Sequence, residues 1–455
     1  MAGDNMETQN LNSPDALWRP MTQHRTLLSN RPKHIVKGEG CYIINEDGER
    51  ILDGTAGLWC VNVGHGRKEL AEEAKKQMEK LAYVIPIMTS DPAVELSEKM
   101  LNMIGMEKGH VYFTSSGSEA NEVAFKIVRQ YHLQAGNPRK HKIISRHRAY
   151  HGNTLATMTA TGQAERKIGY EPLAPGFLHV PPPYPYRRHP KLTLEEHGEE
   201  CVKFLEDTII YEGEETVAAF IMEPMISGGG VLIPPDNYLA GVREVCDRYN
   251  VLLIMDEVVS GFGRTGKMFG HEHWGIKADV FTFAKGMASG YMPVAATVVK
   301  EEIFEAFYGE TSELRHFRHI NTYGGHPVAA AVSLKNIDIV KQENLPANAA
   351  KMETYLRNRL SELSDHPLVG DIRGRGLLLG IELVSDKEKK TPVSLAQANG
   401  ILQNCLKEGV LVMRNGNTVP GLGNILIMAP PLILKENEAD QIVDAVGKSL
   451  NQALN

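Results

Sequence analysis

Val251-Leu252-Leu253-Ile254-Met255-Asp256 and, further along, Ala278-Asp279-Val280-Phe281-Thr282-Phe283-Ala284-Lys285 are two apolar runs that each end on a charged residue. Short runs of branched and aromatic residues without alternation read as strands buried on both faces, as in a parallel sheet covered by helices. Such a sheet gathers its chemistry at the carboxyl ends of its strands, where Asp256 and Lys285 fall. A lysine at a strand end followed by small residues, here Gly286-Met287-Ala288-Ser289-Gly290, can be desolvated, so that its amine gives up a proton and attacks an aldehyde. A strand-terminal aspartate is a natural partner for a protonated ring nitrogen. An aldehyde cofactor with a ring nitrogen, pyridoxal 5'-phosphate (PLP), answers both descriptions. For Lys285 taken alone, a surface lysine after a strand is the plain alternative.

Outward from these runs, Val111–Phe113, Lys142–Ile144, Ala218–Met222 and Ala295–Val299 are further short apolar segments separated by helical stretches. One such stretch places Tyr238, Val242, Val245, Cys246 and Tyr249 on a single stripe. The pattern predicts an α/β fold with a mostly parallel sheet. Val36 to Asp53, broken by Gly38, Gly40 and the turn Glu46-Asp47-Gly48, reads as an antiparallel meander. Pro172 to Pro190 is rich in proline and aromatics and reads as an ordered excursion from the sheet. After about 330 a second α+β unit is expected, with the strand Gly374–Leu383, helix 394–408, strands Val410–Met413 and Ile425–Met428, and a closing helix 435–449. Residues 1–60 and 331–455 are assigned to this smaller domain and 61–330 to the larger one, with residues 1 to about 12 disordered.

The chain has 455 residues, 42% hydrophobic, and a net charge of -7 with both signs interspersed. That leaves no basic face for nucleic acid or an anionic membrane. Five cysteines without a Cys-x-x-Cys pair fit a reducing compartment. No signal core or membrane-length apolar run is present, so the expected location is cytoplasmic.

Four candidate groups fall at strand ends. Thr114-Ser115-Ser116-Gly117-Ser118-Glu119-Ala120-Asn121 opens a helix, and Ser116, Gly117 and Ser118 offer hydroxyls and free amides to a phosphate; a plain serine N-cap is the alternative. Tyr150-His151-Gly152 follows a strand, and the Tyr150 ring suits stacking on a pyridine. Glu223-Pro224 ends one strand and Asp256-Glu257 another, an arrangement that also suits a metal ion. Gly261-Phe262-Gly263-Arg264-Thr265-Gly266-Lys267 matches seven positions of a phosphate-binding P-loop, but Met268 replaces the hydroxyl residue that ligates Mg²⁺. His271, His273, His316 and His319 have no metal-ligand spacing and read as structural or surface residues.

In that order, Ser-Gly-Ser-Glu-Ala-Asn at 116–121, Tyr150-His151-Gly152, Glu223-Pro224, Asp256-Glu257-Val258 with Gly261–Gly266, Lys285-Gly286, and Thr322-Tyr323-Gly324-Gly325-His326-Pro327 resemble the class III aminotransferases of PLP fold type I. The resemblance runs from about residue 15 to the C-terminus. It implies a large domain with a mostly parallel seven-stranded sheet, a smaller α+β domain formed by both chain ends, and a homodimer with shared active sites, possibly paired into a tetramer. By matching position, it implies Lys285 as Schiff-base lysine and proton shuttle and Asp256 as partner of the ring nitrogen. Tyr150 and Val258 would flank the ring, with His151 beside it; Gly117 and Ser118 would hold the phosphate with Thr322 of the partner subunit. Glu223 would position Asp256 or the cofactor's phenolic side.

The segment Gly57-Leu58-Trp59-Cys60-Val61-Asn62-Val63-Gly64-His65-Gly66 is similar to the ω-amino acid or amine:pyruvate branch. There Trp59 would wall the substrate pocket and Arg414 would bind the carboxylate of pyruvate. Family enzymes for ornithine and 4-aminobutyrate carry a glutamate at the position of Gly228 that masks an arginine; its absence argues against those substrates. Met21, Pro86 and Ile87 stand where related amine transaminases have aromatics, implying an aliphatic pocket. The resemblance thus implies ping-pong transfer from an ω-amino acid or primary amine to pyruvate. Taurine:pyruvate and diaminopelargonate aminotransferases are alternatives, as is a non-catalytic PLP-binding protein.

Overall fold

The structure, a computed structural model, describes residues 16–28, 32–416 and 419–454; the N-terminal stretch expected to be disordered lies outside them. Strands β1 (Ile35–Glu39), β2 (Tyr42–Asn45) and β3 (Arg50–Asp53) form the expected antiparallel meander. Its turn is built by Asn45, whose Oδ1 accepts the amides of Asp47 (3.1 Å) and Glu49 (2.8 Å), while Gly48 adopts φ 82°.

The central sheet holds β4 (His110–Thr114), β5 (Lys142–Arg146), β6 (Phe177–Val180), β7 (Val217–Met222), β8 (Leu252–Asp256), β9 (Val280–Phe283) and β10 (Ala295–Val299). The order is β4-β10-β9-β8-β7-β5-β6. Strand β10 runs antiparallel to both neighbours, and the remaining pairs are parallel. Strands β7, β8 and β9 are buried along their whole length, which is why their sequences are apolar without alternation. Leu252, Ile254 and Val280 pack with the helix Gly117–Gln134, whereas Leu253, Met255 and Phe281 pack with the helix Tyr238–Arg248. Alternate residues therefore feed two cores, one on each face.

Three expectations are corrected. The proline-rich segment does not leave the sheet entirely, because Phe177–Val180 pairs in parallel with β5 and forms its edge, a position that tolerates nearby prolines. Gly374–Leu383 is not one strand but the heart of an antiparallel hairpin, β11 (Val369–Arg375) and β12 (Leu378–Asp386). It turns at Gly376, where φ is 55° and a Cβ would meet the Thr265 carbonyl carbon at 2.4 Å. The run Val410–Met413 is also divided. After the two-residue strand β13 (Thr391–Pro392), β14 (Val410–Leu411) pairs in parallel with β3, while β15 (Met413–Arg414) joins β16 (Ile425–Met428) beside β12.

All five cysteines are free. Among the described residues no helix is long and apolar enough to cross a membrane.

Candidate active site

Asp256 closes β8 with 4% exposure and is held by three donors. Asn121 Nδ2 (2.9 Å) and His151 Nδ1 (2.8 Å) reach Oδ2, and the Val258 amide reaches Oδ1 at 3.1 Å. An ionised carboxylate only accepts, so His151 carries its proton on Nδ1. Its Nε2 is buried with no hydrogen-bond partner among the described residues. Asn121 is itself oriented, since Thr282 Oγ1 on β9 donates to its Oδ1 at 2.8 Å and its Nδ2 also bonds the His151 carbonyl at 2.8 Å. Sequence reasoning gave Asn121 no role. The available signal is its place one helical turn after Gly117, which turns it toward the sheet.

Lys285 directly follows β9 and Ala284 in a left-handed conformation, φ 45°, that is unfavourable for a residue with a Cβ. Burial holds its ammonium below the ordinary value, against the opposing fields of Asp256, Cys60 and Glu223. Its Nζ lies 5.3 Å from the centre of the Trp59 ring. The loop leading to Trp59 is tied down by Asp53, which is 1% exposed. Asp53 accepts from Thr55 N (3.2 Å), Thr55 Oγ1 (2.8 Å) and Gly57 N (2.7 Å), and pairs with His65 Nε2 at 2.8 Å. Gly228 faces the same ring: a Cβ there would stand 3.2 Å from Trp59 Cη2, so any larger residue must push the indole aside.

At the start of the helix Gly117–Gln134, Ser116 acts as the N-cap, its Oγ accepting the Glu119 amide at 3.2 Å. The plain role expected as an alternative is therefore the one its hydroxyl plays. Gly117 and Ser118 begin the helix, where amides lack an intrahelical acceptor. Gly117 has no room for a side chain, since a Cβ would lie 3.1 Å from both Val258 methyls. Ser118 Oγ donates to Asn153 Oδ1 at 2.9 Å and accepts the Asn153 amide at 3.1 Å. Open amides at a helix start, a carboxylate already oriented by three donors, and a buried amine in the field of that carboxylate are a donor set that fits PLP.

Glu223, at the end of β7, is 4% exposed. Asn121 and His151 orient Asp256, while Glu223 accepts from Ser227 N (2.9 Å) and Tyr150 N (3.3 Å). Burial raises its pKa. Among the described residues no cluster of three or more metal-ligand side chains occurs.

The P-loop alternative falls. Arg264 is completely buried and donates to the carbonyls of Leu377 (2.9 Å) and Pro430 (2.5 Å) and to Asn62 Oδ1 (2.8 Å), while Lys267 Nζ bonds the Glu272 carbonyl at 2.8 Å. His271, read as structural, bonds buried Glu257 through Nδ1 at 2.8 Å.

The outer residues are less closely gathered. Arg414 sits on β15 with Nε donating to Asn399 Oδ1 at 2.8 Å. Met21 and Ile87 are 82% and 79% exposed. Thr322 is exposed, and its carbonyl accepts the Tyr83 hydroxyl at 2.9 Å.

The family model described as aminotransferase class-III matches residues 28–450. An uncharacterized aminotransferase, YhxA, of Bacillus subtilis (strain 168) is 48% identical over 91% of this chain and 90% of its own length. A taurine–pyruvate aminotransferase of Bilophila wadsworthia (strain 3_1_6) is 41% identical over 95% of this chain and 94% of its own. The crystal structure of a Bacillus anthracis aminotransferase superposes with a TM-score of 0.92 at 47% identity, covering 96% of each chain.

Proposed function

Because the chain belongs to the class III aminotransferases, enzymes that work with PLP, we propose that it moves an amino group from an ω-amino acid or small primary amine to pyruvate, giving alanine. The observation that carries the substrate choice is the contact of Trp59 with Gly228, where a Cβ would already stand 3.2 Å from the indole. The position that holds an arginine-masking glutamate in the ornithine and 4-aminobutyrate enzymes is here closed by a tryptophan. Taurine is a second donor to consider, because the 41%-identical Bilophila enzyme is named for it.

When bound, PLP supplies an aldehyde that captures the amine and a ring that takes up the electron pair left at the donor carbon. Lys285, its hold on a proton weakened by burial, removes the proton from the donor carbon and delivers it to the far side of the reacting system. Asp256 would keep a proton on the ring nitrogen, and its three donors prevent it from turning away. Gly117 and Ser118 would hold the phosphate, with Thr322 of the partner subunit completing that cradle in a homodimer, and Tyr150 and Val258 would flank the ring. Trp59 walls the pocket, and the Arg414 guanidinium takes the carboxylate of pyruvate through two parallel hydrogen bonds. Donor and acceptor use this pocket in turn, so ping-pong kinetics follow. The division into residues 61–330 and a smaller domain from both chain ends is part of this reading; the pairing of β14 with β3 supports it.

The test is the visible spectrum of the PLP-loaded protein after addition of β-alanine, a small alkyl amine or taurine, then pyruvate. The absorbance should bleach with donor and return with pyruvate, and Lys285→Ala should do neither on the timescale of turnover. A spectrum indifferent to every donor, or intersecting double-reciprocal lines, would overturn the reading.

A further inference from the structure

Tyr150 and its neighbours are zipped to the segment that follows the helix Leu155–Ala160. Arg148 N donates to the Gly162 carbonyl at 2.7 Å, Gly162 N to the Ala149 carbonyl at 2.9 Å, and His151 N to Thr161 Oγ1 at 2.9 Å. Gly162 permits this approach, since a Cβ there would collide with the Arg146 carbonyl. Gln163, 1% exposed, extends the frame: its Nε2 donates to the Arg148 carbonyl at 3.0 Å and its Oε1 accepts Arg166 Nε at 2.8 Å. One orientation of the amide serves both bonds. Arg166 is thereby held over the Tyr150 ring, its guanidinium carbon 4.9 Å from the ring centre, and its Nη1 reaches Met21 Sδ at 3.6 Å. These three partners, an amide oxygen, an aromatic ring and a thioether, are all neutral.

We propose that Arg166 is a positioning residue that backs the Tyr150 ring on one face, so that the other face is presented to the pyridine of PLP. The inference rests on the reading of Tyr150 as a residue flanking that ring. A phenol ring swings on two rotatable bonds, and each unused orientation is lost when a ligand stacks on it. A guanidinium plane lying on one face restricts that swing before PLP arrives, and the attraction between the cation and the electron-rich face holds the pair together. Gln163 ties Arg166 to the carbonyl of Arg148, two residues before Tyr150. Cation and ring are therefore fastened to the same stretch of backbone. An ammonium could not take this place, because the bond to Gln163 uses Nε and the stack uses the plane.

The experiment compares full-length wild type, Arg166→Met, Tyr150→Leu and the double variant. PLP affinity is read from a visible-absorbance titration, the seating of the bound cofactor from its circular-dichroism band, and stability from denaturant unfolding without cofactor. Arg166→Met keeps an unbranched stem and removes the guanidinium. It should weaken PLP binding about fivefold and diminish the circular-dichroism band, with the cofactor-free midpoint unchanged. In the Tyr150→Leu background the same change should weaken binding no further, because the coupling runs through the ring. An equal loss in both backgrounds, or a loss that follows the cofactor-free stability, marks a merely structural role and overturns the proposal. If Tyr150→Leu weakens PLP binding while Arg166→Met leaves affinity and band as in wild type, this inference fails alone; if Tyr150→Leu changes neither, the reading of Tyr150 fails and takes the inference with it.

Discussion

Ser116–Asn121 and Gly261–Lys267 look alike as sequence, each a small-residue turn suited to a phosphate, but they spend their donors differently. The first runs into an 18-residue helix whose opening amides have no internal acceptor. The second turns back on itself: Gly263 N bonds the Met268 carbonyl at 3.1 Å and Gly266 N the Gly263 carbonyl at 3.1 Å. Its arginine is buried as a strut between the Leu377 and Pro430 carbonyls. A phosphate site is therefore a question of unspent donors, and residue type alone does not answer it.

The sharpest way to break this contrast is Arg264→Ala. Three buried acceptors would lose their donor, so denaturant unfolding should show a loss of about 3 kcal/mol or more, with the PLP affinity of the remaining folded protein unchanged. A fall in PLP affinity without a fall in stability would reverse the roles assigned to the two turns. Gly117→Val probes the other side. Its Cβ would press on the Val258 methyls at 3.1 Å, and overpacking of about 1–3 kcal/mol should appear mainly as weaker PLP binding in a spectroscopic titration.

Acid offers a smaller test. Burial pushes the Glu257 carboxyl up, but bonds from His271 and Ser260 outweigh it and hold it below its ordinary value. Its stabilising contribution is thus complete above the unfolded value of about 4.3 and is lost as pH falls below that through the lower folded value. Because Glu257 accepts the Gly270 amide at 2.9 Å and the His271 amide at 2.7 Å, it ties down the end of the Gly261 loop. Wild type should lose stability below about pH 4.3 more steeply than Glu257→Gln, measured by denaturant midpoints at successive pH values. The smallest effect is expected for Lys267→Met. A P-loop lysine would be indispensable, whereas this one should leave PLP affinity and stability within about 0.5 kcal/mol of wild type.

Much of the sheet was legible because burial on both faces writes itself as uninterrupted apolar sequence, as in β7, β8 and β9. Edge strand β6 was not, since an edge next to prolines carries little apolar signal. The split after Leu411 escaped for another reason: β14 and β15 are each two residues long, too short for any periodicity. In the site, Lys285 and Asp256 were legible as strand-terminal charges. Asn121 and the Asp53 clamp were not, because their meaning lies in partners distant in sequence, such as Asp256 and Thr282 for Asn121.

In the parallel rung that joins β14 to β3, Leu411 stands opposite Asp53. Asp53 pins the loop that presents Trp59, and Leu411 leads directly into the strand that carries Arg414. The loop of Trp59 and the strand of Arg414 thus hang from one shared backbone fastening, the β3–β14 pairing. On the proposed reading of Trp59 as pocket wall and Arg414 as carboxylate site, the distance between them acts as a ruler for substrate length. Exchanging side chains at either end recolours the marks on that ruler; changing its length would require adding or removing residues between 53 and 59 or between 411 and 414.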